Sequence, residues 1–279
     1  MEKGKLYLVP TPIGNLKDMT YRAVKILQSV YRIYAEDTRT SHYLLSHYKI
    51  ETSCHSYHKF NETKRLKEII SFLNSGLSIA IISDAGSPGI SDPSNIIVKE
   101  CLKHDIEVIA LPGATALIPA ITASGFNSDR FIMLGFLSTK KQLAIQTLTK
   151  YANLDIPVII YESPHRLTET LSLLHEHLGD REIAIARELT KQFETWYRNH
   201  ISFFIENPDI IKIKGEFVIV INPAIKEKAT DEDILDLSNT FSDDIPRKEV
   251  ASIIAEKLDV SKNYIYNLLI SKRKNKYES

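Results

Sequence analysis

Along the first half of this chain the hydrophobic period changes repeatedly, and this constrains the fold more than any other feature. Short apolar runs of strand character alternate with segments whose apolar residues recur at helical spacing. Leu6-Tyr7-Leu8-Val9, ended by Pro10, reads as a strand. Ala23, Ile26, Leu27 and Val30 fall on one face of a helix, and Ile33-Tyr34-Ala35 reads as a second strand. Leu66, Ile69, Ile70 and Leu73 line the next helix, with Gly76 as its stop signal. Ile79-Ala80-Ile81-Ile82 is a strand, followed by a glycine-proline loop, a helix to about His104 and a strand over Val108 to Leu111. Strand, helix and strand within about 30 residues make a parallel crossover unit. The first half is therefore expected to be α/β.

The pattern continues after Pro112-Gly113, where a hinge is expected. Phe131 to Phe136, Val158 to Tyr161, Ile183 to Ala186 and Phe217 to Ile221 read as strands, and Leu167, Leu171, Leu174 and Leu178 as a helix. After Pro223 the composition shifts. Residues 231–244 hold six acidic side chains and no Lys or Arg, whereas 245–276 hold eight Lys or Arg against three acids. Val250, Ile253, Ile254 and Leu258 form one stripe, and Asp259-Val260-Ser261 is a turn with Ser261 capping a helix from Lys262. The expected organisation is an N-terminal α/β domain over 1–113, a C-terminal α/β domain over 114–223, and an acidic linker with a basic helical tail over 224–279. Two short helices with a basic end suit entry into nucleic acid. They equally suit packing on the body or on a second subunit.

Lys and Arg together number 35, as do Asp and Glu, so the net charge of zero argues against a polyanion binder that uses its whole surface. Two cysteines, Cys54 and Cys101, make no disulfide framework and point to a reducing compartment. No apolar run approaches the length that spans a bilayer, and no signal-peptide core stands at the N-terminus. A cytoplasmic protein without membrane association is expected. Gly-x-Gly-x-x-Gly, the P-loop, Gly-x-Ser-x-Gly and metal-ligand spacings are all missing, which disfavours dinucleotide, kinase, hydrolase and metal chemistry.

Six of the ten glycines, Gly14, Gly86, Gly89, Gly113, Gly125 and Gly135, stand at or near expected strand ends. In α/β sheets ligands bind outside the carboxyl ends of strands. Ser83-Asp84-Ala85-Gly86-Ser87-Pro88-Gly89-Ile90-Ser91-Asp92-Pro93 is the most informative segment. Asp84, at the strand tip, is expected to contact a ligand, and Asp92 to cap the helix after Pro93. Further polar groups follow other strand tips: Glu36-Asp37-Thr38-Arg39, Tyr161-Glu162-Ser163-Pro164-His165-Arg166, Arg187 to Lys191, and Lys214-Gly215-Glu216. Tyr57-His58-x-x-Asn61-Glu62 precedes a helix. Each group has a plainer reading, with Thr38 and Ser163 as helix caps and Glu188 and Lys191 as surface charges. Their number at strand ends points instead to one cleft between two α/β domains.

Thr11-Pro12-Ile13-Gly14-Asn15-Leu16, Glu36 to Arg39, Ser83 to Pro93, Pro112-Gly113, Tyr161 to Arg166 and Arg187 to Lys191 occur together and in order. In them the chain resembles the ribosomal RNA small subunit (16S) cytidine 2′-O-methyltransferases of the tetrapyrrole-methylase superfamily. The resemblance covers about residues 5–222. It implies two α/β domains with S-adenosylmethionine in the cleft between them, a homodimer, and the small ribosomal subunit with its 16S rRNA as partner. It implies cofactor contacts at Ile13, Asp84, Ala85, Ser87, Pro119 and Ala120, and then at Tyr161, Ala186 and Gly215. Since an activated methyl group has only to meet a weakly nucleophilic hydroxyl, orientation and a proton acceptor are needed. Glu36, Asp37, His58, Glu162 and Glu188 are candidate acceptors. Arg39, Arg166, Arg187 and Lys191 are candidate partners of phosphate or carboxylate. Tyr57 and Tyr161 are candidates for stacking on RNA bases. The combined catalytic set is Glu36, Arg39, Glu162, Arg166 and Glu188. A tetrapyrrole methylase is the first alternative, disfavoured because Pro10-Thr11-Pro12-Ile13-Gly14 replaces a glycine-rich first loop. An assembly factor without turnover is the second, disfavoured by the intact loop around Asp84.

Overall fold

The computed structural model describes residues 2–58, 61–90, 94–224, 229–242, 244–258 and 260–277. The chain divides into two compact units, Met1–Ala224 and Ile225–Ser279.

In the larger unit, β1 (Leu6–Val9), β2 (Arg32–Ala35), β3 (Cys54–Ser56), β4 (Ile79–Ile82) and β5 (Val108–Ala110) form a sheet in the order β3-β2-β4-β1-β5. Every pairing in it is parallel. The register sets Val9 and Ala35 both opposite Ile82, so β1, β2 and β4 end together at one edge. Side chains alternate between the two faces, as the pleat requires. Leu6, Tyr34, Ile79 and Ile81 pack with Ile69 and Leu73 of α3 (Glu62–Asn74) and Ile97 and Cys101 of α4 (Asn95–Lys103). Val9, Ile33, Ala80 and Ile82 pack with Leu27 of α1 (Tyr21–Ser29) and Leu45 of α2 (Thr38–His47). A strand covered on both faces has no polar side to show, so β4 reads Ile-Ala-Ile-Ile.

The second sheet contains β6 (Ile132–Phe136), β7 (Val158–Glu162), β8 (Glu182–Arg187), β9 (Thr195–His200) and β10 (Phe217–Ile221), in the order β6-β7-β10-β8-β9. Within this sheet β6 and β7 pair parallel, and β10 lies between β7 and β8 antiparallel to both. One face is covered by α6 (Lys141–Tyr151), α7 (Leu167–Leu178) and α8 (Ile201–Glu206). Ala120 and Ile121 of α5 (Leu117–Thr122) pack on the other, against Ala184, Ala186, Val218 and Val220. The α/β class expected from the sequence is the class observed. The strands β3 and β9 and the helices α5, α6 and α8 did not stand out in the sequence.

Two expected caps differ. Asp37, not Thr38, caps α2: its carboxylate takes the Arg39 N–H at 2.8 Å, and Thr38 is the first helical residue. Ser163 makes no side-chain cap; its hydroxyl donates instead to Glu162 Oε1 at 3.4 Å. Asp92 and Asp259 lie outside the described residues.

The smaller unit contains α9 (Asp231–Asn239), α10 (Arg247–Leu258) and α11 (Lys262–Tyr277) around Ile234, Val250, Ala251, Ile254, Ile265 and Leu269. The acidic stretch is thus partly a helix. Thr230 and Asp233 close a capping box, and Asp231, Glu232 and Asp233 complement the positive end of the α9 dipole. Ala251 takes the inward position expected for Ile253, which is 43% exposed.

Candidate active site

Where β1 ends, Thr11 and Gly86 exchange both backbone hydrogen bonds at 2.9 Å, joining the first loop to the loop after β4. The Thr11 hydroxyl donates to Ser83 O at 3.0 Å, and the Ser83 hydroxyl to Gly86 O at 2.6 Å. Gly86 holds φ +84°, a conformation that any other residue reaches only with strain. Ser87 donates to Ala114 O at 3.0 Å, tying in the segment after β5. There Gly113 packs on Pro10 so closely that a Cβ would stand 2.6 Å from the proline Cβ. The end of β2 joins through Asp84, whose Oδ1 accepts the Asp37 N–H at 2.9 Å. Asp37 in turn holds Arg39 through Nη2 at 2.8 Å, and these hydrogen bonds lower its carboxyl to about 2.

The second sheet supplies the facing wall. Tyr161 contacts Thr115 and the Leu117 N–H through its hydroxyl and meets Phe136 edge-on at 5.6 Å; burial raises its pKa. Glu162 is fully buried. Its Oε1 accepts the Ser163 N–H, its Oε2 accepts the Thr170 hydroxyl at 2.6 Å, and Arg166 Nη2 stands 3.7 Å from Oε2. Arg166 also donates to the carbonyls of Leu137 and Ser138, so the pair brackets the turn after β6.

Beside this bracket lies an ion triad. Lys191 Nζ is 2.8 Å from Glu188 Oε1 and 3.0 Å from Glu216 Oε2, and Glu188 Oε1 also accepts the Glu216 N–H. Burial would raise the Glu188 carboxyl, but Lys191 and the Glu216 N–H bring it below its ordinary value. Burial would likewise lower Lys191, but its two carboxylates hold it above. Glu188 and Thr190 both adopt positive φ, +55° and +65°, without being glycine. Strain of this kind persists where the surrounding structure fixes the backbone. The Lys191 stem lies against Gly14, and the Glu188 carboxyl against Gly215.

Two cavities meet at Ser83 and Asp84. The smaller, about 390 Å³, has apolar walls that include Ile13, Phe136, Phe217 and Val218. Its lining carries the carboxylate residues Glu36, Asp84, Glu162 and Glu216, and no Lys, Arg or His among the described residues. The larger, about 810 Å³, is lined by Lys17, His47 and Lys191, with Asp84 as the carboxylate residue among those described. The first suits a ligand with a flat apolar part and a positive centre; in the second, Lys17 is the lysine outside the ion triad.

Of the residues expected at the cofactor, Ile13, Asp84, Ala85, Ser87, Tyr161 and Gly215 line the smaller cavity. Pro119, Ala120 and Ala186 are not in its lining. Ala120 and Ala186 are fully buried between α5 and the sheet, while Thr115 and Ala116, just upstream of Pro119, face the cavity. Of the expected catalytic set, Glu36 and Glu162 line the smaller cavity; Arg39 is exposed on α2, Arg166 is in the bracket and Glu188 in the triad. Tyr57 is not available for stacking. It is 2% exposed, packed in the core, with its hydroxyl on Glu62, and burial raises its pKa. Thr115 and Ala116 were missed because Pro112-Gly113 signals a boundary; the missed clue was the short Gly-Ala-Thr-Ala stretch directly after a strand.

Residues 5–203 match the family of tetrapyrrole (corrin/porphyrin) methylases, and the chain belongs to that family. Within it, the chain is similar over most of its length to proteins named ribosomal RNA small subunit methyltransferase I. The one from Synechocystis sp. is 43% identical over 95% of this chain and 97% of its own length. The one from Bacillus subtilis is 46% identical over 83% of this chain and 80% of its own. Solved structures share the fold at low identity. A diphthine synthase superposes with TM-score 0.64 at 12% identity, covering 78% of this chain and 90% of that one. A uroporphyrin-III C-methyl transferase from Thermus thermophilus, complexed with S-adenyl homocysteine, gives 0.57 at 15%, covering 78% and 97%.

Proposed function

We propose that the chain uses S-adenosylmethionine to methylate the ribose 2′-hydroxyl of a cytidine in 16S rRNA of the small ribosomal subunit. The observation that carries this reading is the junction at Asp84 of a carboxylate-lined cavity and a lysine-lined one. When bound, the cofactor supplies an activated methyl group on a positive sulfur. The smaller cavity fits it: Ile13, Phe217 and Val218 offer apolar surface, and Glu36 and Asp84 offer negative charge. Lys17 offers positive charge to the RNA backbone. With the donor already activated, these residues have chiefly to orient the hydroxyl. Among the expected proton acceptors, Asp37, Glu162 and Glu188 pair with Arg39, Thr170 and Lys191, and Glu36 and Glu162 line the smaller cavity.

The reading includes two α/β domains, 1–113 and 114–223, a cytoplasmic site of action and a homodimer, the last checked by sedimentation. Among the described residues no helix is long and apolar enough to cross a membrane. The test is methyl transfer from labelled S-adenosylmethionine to small subunits from a strain lacking this protein, with the label located by nuclease mapping. Label on one ribose 2′-oxygen supports the reading. Cofactor binding without label on RNA, together with methylation of porphyrin precursors, overturns it.

A further inference from the structure

Helix α2 borders the larger cavity and has an unusual composition. From Thr38 to His47 it contains no Asp or Glu, and the next acid after its cap, Asp37, is Glu51. Ser41, Leu44 and Leu45 are buried, while Thr40, Tyr43 and His47 are exposed and line the cavity. Spacings of three and four residues place these three on one helical face. Tyr43 is 69% exposed. Lys17 and Lys191 line the same cavity from other elements. Arg39, on an adjoining face of α2, has its side chain 90% exposed. The cavity thus joins an open aromatic ring, hydroxyl and imidazole groups, and the ammonium of Lys17, while that of Lys191 is held by Glu188 and Glu216.

We propose that this face of α2 seats the single-stranded RNA segment that presents the acceptor ribose, with Tyr43 as the stacking surface for a base. The proposal rests on the RNA methylation reading above and assigns its substrate side. Charge complementarity selects the occupant, because an acid-free helix face that shares its cavity with the ammonium of Lys17 attracts a polyanion. The exposed ring selects a single strand, since unstacked bases pack on aromatic side chains whereas a duplex hides its base faces. The two cavities share Ser83 and Asp84. Asp84, which lines both cavities, holds the N–H of Asp37, the residue that caps α2.

The test measures methyl transfer to small ribosomal subunits by the full-length wild type, Tyr43→Ala and Tyr43→Phe, with cofactor affinity and sedimentation measured in parallel. Tyr43→Ala is expected to raise KM for subunits about tenfold, as loss of one stacked base does. Its affinity for S-adenosylmethionine stays at the wild-type value, and Tyr43→Phe, which keeps the ring, keeps the wild-type KM. An unchanged KM for Tyr43→Ala overturns the proposal, as does an equal loss in Tyr43→Phe. A Tyr43→Ala protein that sediments as a smaller species than wild type also overturns it, assigning the face to a second copy of the chain. A wild type that labels no ribose overturns both the methylation reading and this proposal.

Discussion

Asp84 Oδ1 accepts the backbone N–H of Asp37 at 2.9 Å, so the carboxylate at the tip of β4 fastens the start of α2. One side chain therefore has two tasks, lining the smaller cavity and positioning the helix that borders the larger one. The two tasks separate by substitution. Asp84→Asn keeps an acceptor oxygen for the N–H and loses the charge; Asp84→Ala loses both. Titration calorimetry is expected to show S-adenosylmethionine bound about tenfold more weakly by Asp84→Asn, the scale of one charged hydrogen bond. Asp84→Ala is expected to bind it as weakly and also to raise KM for the RNA substrate. Wild-type cofactor affinity in both variants would remove Asp84 from the cofactor site.

Gly215 and Gly125 both have positive φ, +96° and +93°, but differ in surroundings. A Cβ on Gly215 would stand 2.4 Å from Glu188 Cδ, whereas one on Gly125 meets nothing within 4 Å. Gly125→Ala therefore carries conformational strain alone, about 1–2 kcal/mol. Gly215→Ala adds displacement of the Glu188 carboxylate from Lys191 and is expected to cost about 3 kcal/mol, or roughly 6–10 °C in Tm. Calorimetry on the two variants decides; equal losses would mean that the Glu188 side chain yields without effect.

The same contrast bears on what the sequence made legible. β4 and β10 stood out because burial on both faces leaves them apolar throughout. β9, Thr-Trp-Tyr-Arg-Asn-His, is a half-exposed strand at the sheet edge and has no such signature. α5 carries Pro119 inside six residues, which reads as a break. The insertion of β10 between β7 and β8 is a long-range pairing with no local mark. At the site, motif residues at strand tips were legible because the parallel sheet delivers its carboxyl ends to one edge. The division of labour among carboxylates was not. Whether Glu162 faces a ligand or Thr170 depends on a partner eight residues away that only packing brings close.

Glu162 accordingly serves as a test of bracket against base. In Glu162→Leu the Thr170 hydroxyl, the Ser163 N–H and the Arg166 guanidinium are deprived of their shared acceptor inside the protein. A buried donor left without its acceptor costs about 1–3 kcal/mol, and the Thr170 hydroxyl and Ser163 N–H are two such donors. The expected result is a large loss in Tm, with Glu162→Gln recovering part of both stability and activity. A Glu162→Gln protein with wild-type Tm and no methyl transfer would instead make Glu162 the proton acceptor.

The ion triad predicts a plateau in the pH dependence of stability. Glu188 titrates below its unfolded value of 4.5, so its contribution is present above that pH and is lost as pH falls through the folded pKa. Lys191 titrates above 10.5, so its contribution is present below that pH and is lost as pH rises through the folded pKa. The Tm difference between wild type and Lys191→Met is therefore expected to be constant from about pH 6 to 9 and to shrink at both ends. Asp37, lowered to about 2 by Arg39, adds to the acid limb of both proteins and cancels in the difference. A difference that grows toward either extreme would contradict the triad.

The basic tail is best tested at the boundary of its own unit. Ile234 of α9 shares a core with Val250, Ala251, Ile254, Ile265 and Leu269, so removing residues from Ile245 onward would strip α9 of its partners. Truncation after Ala224 avoids that exposure. Both cavities are lined by residues numbered below 224, so cofactor affinity is expected to stay within about twofold of wild type. If the basic end of the tail binds RNA, KM for small subunits rises on truncation. The salt dependence of log KM then becomes shallower by about 0.7–0.9 for each phosphate that the shortened chain leaves unneutralised. Equal weakening of cofactor and RNA binding would assign the tail to folding or to assembly with a second copy.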